Sequence, residues 1–258
     1  MQRKPLKLIH TSDIHISSEG RWNESGPFDR RREERALSEV IDTSQRQRVD
    51  LLLIAGDLFD SSRVATALVD FVMEEFSRAS CPVVLIPGNH DCYDDHSIYR
   101  QVDFAQAGPH VKVLMDEEGQ TIEFPDLEAT VWGRALVDHD HRNQPLADIP
   151  KRSGDFWHLG VAHGYLTQDR SEMRSSLITH DEIGESGFDY LALGHVHVFR
   201  EVSQRTTKAC YSGSPAPGFL GDEEWGSVAM VTLDPLSGVT LSEEKLRASQ
   251  AEVNLDDT

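Results

Sequence analysis

The 258-residue chain has no apolar run near the roughly 20 residues that a membrane-spanning helix needs. Its opening, "MQRKPLKLIHTSD", shows neither the apolar h-region nor the small-residue cleavage site of a secretory leader. Cysteine is scarce: Cys81, Cys92 and Cys210 are odd in number and form no CxxC spacing. A disulfide framework is thereby excluded, and a reducing cytoplasm is the expected setting. Positive charge is also in short supply, with 25 Lys and Arg against 44 Asp and Glu for a net charge of −19, which argues against a broad nucleic-acid footprint. The deficit is uneven. Residues 1–50 hold ten basic and nine acidic residues, and Arg21, Arg30, Arg31, Arg32 and Arg35 are the one dense basic cluster. No internal repeat or low-complexity stretch is present.

Short apolar runs alternate with helical patterns. "LKLIHTS" (6–12), "DLLLIAGD" (50–57) and "CPVVLIPGNHD" (81–91) read as buried strands. Helices are expected over 30–48, with Ala36, Leu37, Val40 and Ile41 on one face, over 64–79, and near 97–107. This βαβαβ order predicts a parallel sheet. Beyond about residue 110 strand-like segments dominate and predict a second, antiparallel or mixed sheet, with long polar loops at 137–155 and 165–187. Residues 1–246 are expected to form one domain. Residues 247–258 are expected to form a frayed acidic tail.

Several of the apolar runs end in metal-ligand residue types: Asp13 and His15 in "SDIH", Asp57 in "AGDLFD", Asn89, His90 and Asp91 in "PGNHD", His163 in "VAHG", and His195 and His197 in "LGHVH". Taken singly each has an ordinary explanation. A strand-end histidine is commonly a satisfied polar residue, Asp57 suits a helix N-cap, and Asn89 suits a turn. Ligands bind beyond the carboxyl ends of strands in open α/β sheets, so all these ends can meet in one crevice. In extended chain, residues i and i+2 point the same way, so Asp13 with His15, and His195 with His197, would share a side. Mixed oxygen and imidazole donors suit Mn²⁺, Fe or Zn²⁺. Seven donors exceed what one small cation with an open position takes, whereas two ions sharing one carboxylate fit the count.

The ordered set "SDIH", "GDLFD", "GNHD", "AHG" and "GHVH" resembles the signatures of the calcineurin-like metallophosphoesterases from about residue 8 to residue 197. Within that superfamily "LIHTSDIHI", "LLLIAGDLFDSSRV" and "FDYLALGHVHVFREV" resemble the DNA-repair exonucleases, SbcD-like proteins that pair with an SMC-like ATPase. The resemblance implies an α/β fold, a four-layer αββα sandwich of two mixed sheets flanked by helices. It implies two divalent ions, Mn²⁺ foremost with Fe, Zn²⁺ or Co²⁺ as alternatives. Asp13, His15 and His197 would hold one, Asn89, His163 and His195 the other, and Asp57 would bridge them. The implied reaction is phosphodiester hydrolysis by in-line attack of a metal-activated water, with His90 as acid and Asp91 orienting its ring.

Some members carry after GDLF a histidine that contacts phosphate; this chain has Asp60 there. No capping domain is expected in this chain, and the segment by which such members dock on their ATPase is expected to be absent. Substrate contacts are expected from Arg30, Arg31, Tyr211 and Ser212. A DNA nuclease is the leading function. A stand-alone phosphodiesterase or phosphatase for small substrates is the alternative, and a non-catalytic scaffold on the same fold comes last.

Overall fold

The computed structural model describes residues 3–17, 31–140, 142–152, 154–168, 170, 176–216 and 225–247. Two six-stranded mixed sheets lie face to face. The first runs in the order β14 (Gly238–Arg247), β13 (Trp225–Asp234), β1 (Leu6–Thr11), β2 (Leu51–Ala55), β3 (Val83–Ile86), β4 (Val111–Val113). Strands β1 to β4 are parallel, while β13 and β14 are antiparallel. The second sheet runs β11 (Phe199–Glu201), β12 (Lys208–Ser212), β10 (Tyr190–Gly194), β7 (Trp157–His163), β6 (Ala129–Gly133), β5 (Gln120–Phe124). Its four central strands are parallel and its two edges antiparallel. A short parallel pair, β8 (Tyr165–Thr167) and β9 (Leu177–Thr179), stands apart.

Strand alternation assigns every central side chain to a layer. Leu6, Leu8, Leu51, Leu53, Ala55, Val84 and Ile86 face Leu159, Val161, Tyr190, Ala192 and Cys210 between the sheets. Their neighbours Ile9, Leu52, Ile54, Val83 and Leu85 face outward onto the helices α1 (Arg32–Arg46) and α2 (Thr66–Arg78). Helix α1 buries Ala36, Leu37, Val40 and Ile41, and α2 buries Val69, Val72 and Phe76, each at the three-to-four-residue spacing of one helix face. Glu33 and Glu34 in the first turn of α1 and Arg46 in its last complement the helix dipole. The far side of the second sheet carries Trp132, Ala162, Leu191, Leu193 and Tyr211 against Ile183 of the short helix α4 (His180–Glu185) and Phe188 just beyond it. The four layers expected from the resemblance are therefore present.

Four expectations need correction. The helix expected near 97–107 is one α-turn, α3 (Ile98–Gln101), followed by a 3₁₀ turn over Phe104–Ala107. Ser97 and Asp103 each cap a backbone N–H there, which favours two short turns over one helix. The loop expected at 165–187 contains β8, β9 and α4, the last opened by a reciprocal cap between Thr179 and Glu182. Strands β4, β13 and β14 join the first sheet rather than the second. Helix α1 starts at Arg32, inside the expected span. Residues 248–258, most of the expected tail, lie outside the described residues. Among the described residues no helix is long and apolar enough to cross a membrane.

Candidate metal centre

The carboxyl ends of β1, β2, β3, β7 and β10 open onto one site. Asp13 and His15 follow β1, Asp57 follows β2, Asn89 and His90 follow β3, His163 ends β7, and His195 and His197 follow β10. The seven expected ligand residues come together in two half-sites. In one, His197 Nε2 lies 3.3 Å from His15 Nε2 and 3.6 Å from Asp13 Oδ1. In the other, Asn89 Oδ1 lies 2.9 Å from His163 Nε2 and 2.8 Å from His195 Nδ1. Asp57 sits between them, its Oδ2 3.8 Å from His15 Nε2 and 3.4 Å from His163 Nε2. Its Oδ1 accepts the His90 N–H at 2.8 Å. The two histidines of "GHVH" therefore serve different half-sites.

The backbone achieves this differently from the alternation expected of extended chain. Strand β1 ends at Thr11, and Asp13, His15 and Asp57 have φ of 55°, 57° and 52°, with His195 at 104°. These left-handed positions cost about 1 kcal/mol each and turn successive side chains into the site. Hydrogen bonds from Asp13 N to the Gly56 carbonyl (3.1 Å) and from His15 N to the Asp57 carbonyl (3.0 Å) hold the strained loop. Two glycines permit the close approach. A β-carbon at Gly88 would overlap the Asp57 carboxylate, and one at Gly194 would overlap the Ala55 carbonyl oxygen of the facing sheet.

The donor chemistry fits divalent cations. His163 Nδ1 lies 2.8 Å from the Ala55 carbonyl, which places the ring proton there and leaves Nε2 with a lone pair. In the neutral ring that lone pair would face Asn89 Oδ1 and Asp57 Oδ2, acceptors with no donor between them, so the arrangement favours an added positive charge. Burial pushes the His163 pKa down, but the Asp57 carboxylate outweighs it and holds the ring up at about 9. A proton thus supplies the charge that a cation would replace. Burial alone would raise the Asp57 pKa; the facing His163, His15 and His90 rings instead hold it well below the carboxylate range. Burial and the neighbouring His163 lower His195 to about 4, keeping it a free donor at neutral pH. Three sets of close ligand atoms form among the described residues: Asp13, His15, His197; His15, Asp57, His90; and Asp13, Asp57, His163.

His90 is exposed at the mouth of the site. Its Nδ1 lies 3.0 Å from the Asp60 carbonyl and 3.4 Å from Asp60 Oδ1. The hydrogen bond to Asp60 raises its pKa to about 9 against the opposing effect of burial. The same Asp60 Oδ1 lies 3.2 Å from His15 Nδ1. Asp91, expected to orient the His90 ring, has another task. Its buried carboxylate accepts the Gly88 and Phe59 N–H groups at 2.8 and 3.1 Å and the Tyr99 hydroxyl at 2.6 Å, tying the β2 and β3 loops together. These bonds hold its carboxylate within the loop, and Asp60 takes the place beside the His90 ring. The signal was the carboxylate three residues after Asp57 in "GDLFD".

Tyr211 and Ser212, expected to touch substrate, are wholly buried, because β12 is an interior strand. The Tyr211 hydroxyl donates to the Gly164 carbonyl at 2.9 Å, and Ser212 points between the sheets. Arg31 is exposed just before α1, its carbonyl accepting the Arg35 N–H; Arg30 lies outside the described residues.

A sandwich whose strand ends gather carboxylates, an amide and imidazoles around one shared carboxylate defines a metal-dependent phosphoesterase. The calcineurin-like phosphoesterase profile matches residues 6–199, and the chain belongs to that family of hydrolases. It is 29% identical over 230 residues to the uncharacterized metallophosphoesterase YhaO of Bacillus subtilis, covering 81% of this chain and 53% of that protein. It is 27% identical to the SbcD component of the nuclease SbcCD from Escherichia coli K12, covering 94% and 67%. To the DNA double-strand break repair protein Mre11 of Methanopyrus kandleri it is 25% identical, covering 82% and 49%. The chain thus spans about half to two thirds of the length of these relatives. Two solved structures share the fold: TT1561 of Thermus thermophilus, with a TM-score of 0.58, 10% identity and coverage of 95% of this chain and 100% of that one, and an archaeal phosphodiesterase, with a TM-score of 0.51, 15% identity and coverage of 93% and 100%.

Proposed function

We propose that this site holds two divalent cations, Mn²⁺ foremost, and hydrolyses phosphodiester bonds in DNA. The observation that carries the reading is Asp57, whose one carboxylate stands between two clusters of lone-pair donors. Asp13, His15 and His197 would hold one ion, Asn89, His163 and His195 the other, with Asp57 shared. Two cations there supply Lewis acidity toward phosphoryl oxygens and lower the pKa of a nearby water. His90 stands at the open side with its Nδ1 held by Asp60, leaving Nε2 to donate a proton to the departing oxygen. Asp91 and Gly88 fix the loop that presents Asn89 and His90. The relatives named as nuclease and DNA-repair proteins make DNA the first substrate class to test.

The test compares single- and double-stranded oligonucleotides with an aryl phosphodiester, in Mn²⁺, Mg²⁺, Zn²⁺ and Co²⁺. Cleavage of oligonucleotides with Mn²⁺, abolished by chelator, is expected. His90→Ala should slow it about 10²–10⁴-fold while sparing the aryl diester, whose good leaving group needs no acid. The net charge of −19 favours a second reading, a phosphodiesterase for small substrates. Aryl diester hydrolysis without oligonucleotide cleavage would transfer the conclusion to it.

A further inference from the structure

We propose that a buried hydroxyl relay, Ser212 to Ser12 to Asp13, is the positioning device that presents one oxygen of Asp13 to a cation. The inference rests on the two-cation reading above and names residues which that reading leaves without a role. Ser12 and Ser212 are wholly buried. Ser12 lies two residues beyond His10 and Ser212 two beyond Cys210, so both continue the side-chain rows that face each other between the sheets. Ser12 Oγ donates to Asp13 Oδ2 at 2.5 Å and lies 2.9 Å from Ser212 Oγ. A hydroxyl has one proton. With that of Ser12 given to the carboxylate, Ser212 can donate to Ser12 Oγ, and its alternative acceptor is the Gly213 carbonyl at 2.9 Å. The first arrangement sharpens Ser12 as a donor, because hydrogen bonds in series polarise one another.

The consequence lies in which carboxylate oxygen is used. Oδ2 receives the Ser12 hydroxyl. The His195 N–H reaches both oxygens, at 3.1 Å to Oδ1 and 3.0 Å to Oδ2. Oδ1 is the oxygen turned to His197 Nε2 at 3.6 Å and His15 Nε2 at 4.0 Å. The relay therefore fixes the rotation of the carboxylate and leaves Oδ1 for the half-site. Two further serines hold the frame. Ser214 Oγ donates to the Asp13 carbonyl at 2.7 Å, and Ser227 Oγ donates to the Ser212 carbonyl at 3.0 Å. Interior hydroxyls are costly to leave unpaired, so these serines are not fillers of convenience.

The experiment titrates Mn²⁺ into chelator-stripped full-length protein and counts free ion by electron paramagnetic resonance. Wild type, S12A, S12T, S212A, the S12A/S212A double variant and H197A are compared, each with a melting temperature for the metal-free form. Wild type is expected to show two dissociation constants. S12A should raise about 10–100-fold the same one that H197A abolishes, with the metal-free melting temperature little changed. S12T, which keeps the hydroxyl, should restore it. S212A should weaken that site less, and the double variant should match S12A, since Ser212 acts through Ser12. Two unchanged constants in S12A, or additive effects in the double variant, overturn the relay while the two-cation reading stands. A wild type that binds no Mn²⁺ overturns both. Should S12A fail to fold, S212A decides: one weakened site supports the relay, and two unchanged sites overturn it.

Discussion

His10 is a buried group whose refusal of a proton should cost the fold stability as pH falls. It lies on β1, wholly buried between the sheets, with Nδ1 2.7 Å from the Tyr190 hydroxyl and 3.9 Å from Cys210 Sγ. Burial lowers its pKa from 6.5 to about 3, and the Leu193 carbonyl opposes this only in part. Its neighbours stay neutral, since burial pushes Cys210 up to about 12 and Tyr190 well above its ordinary value. Between pH 6.5 and pH 3 the unfolded chain therefore binds a proton that the folded protein refuses. Folded stability must fall with pH in that window, by about 1.4 kcal/mol per pH unit from this residue. At pH 4.5 the loss from His10 is about 3 kcal/mol, rising to about 4 kcal/mol at pH 3. His10→Gln keeps a polar partner for Tyr190 and does not titrate. Urea unfolding of metal-free wild type and variant at pH 7.5 and 4.5 should show the stability difference moving toward the variant by about 2–3 kcal/mol on acidification. Other titrating groups cancel in the comparison. Parallel pH dependences would refute the argument and would mean that His10 takes up its proton without opening the sandwich.

Two further perturbations probe the frame of the site. Gly194→Ala places a methyl group on the Ala55 carbonyl and against His163 Nδ1, so stability should fall by roughly 1–3 kcal/mol or more. Manganese binding should weaken with it, and a calorimetric titration showing wild-type affinity would count against the close-approach account. Tyr211→Phe removes the hydroxyl bonded to the Gly164 carbonyl and should cost about 1 kcal/mol of stability with KM unchanged. A several-fold rise in KM at unaltered stability would return Tyr211 to the substrate groove.

The chemistry of the site was more legible in the sequence than its geometry. Asp13, His15, Asp57, Asn89, His163, His195 and His197 announce themselves because ligand-type residues cluster just past apolar runs. The expected mechanism of their convergence was alternation in extended chain, yet the strand has ended before Asp13 and the turns are left-handed. Nothing in "SDIH" marks a positive φ, since aspartate and histidine tolerate it without requiring it. Asp91 and Asp60 are both carboxylates within reach of the same loop, and only the tertiary hydrogen bonds separate the loop-tying one from the one beside His90. Strand β13 could not be placed by pattern either. "SVAMVTL" would suit either sheet, and its position follows from its pairing with β1 across the whole length of the chain. The short turns at 98–107 defeated a helix expectation because capping by Ser97 and Asp103 is local side-chain chemistry that periodicity does not register.

The bond from the His195 N–H to the Asp13 carboxylate joins residues 182 positions apart, one at the end of a strand in each sheet. Each half-site likewise draws side chains from both sheets. The first sheet alone gathers His15, Asp57 and His90, but neither half-site is complete until the second sheet brings His163, His195 and His197. Contacts this distant in sequence are closed late in folding, after the loop entropy between them has been overcome. The site is therefore a test of completion. A chain that has docked its helices but not its two sheets possesses every functional residue and neither complete half-site, so immature and partly opened molecules are silent by design of the fold.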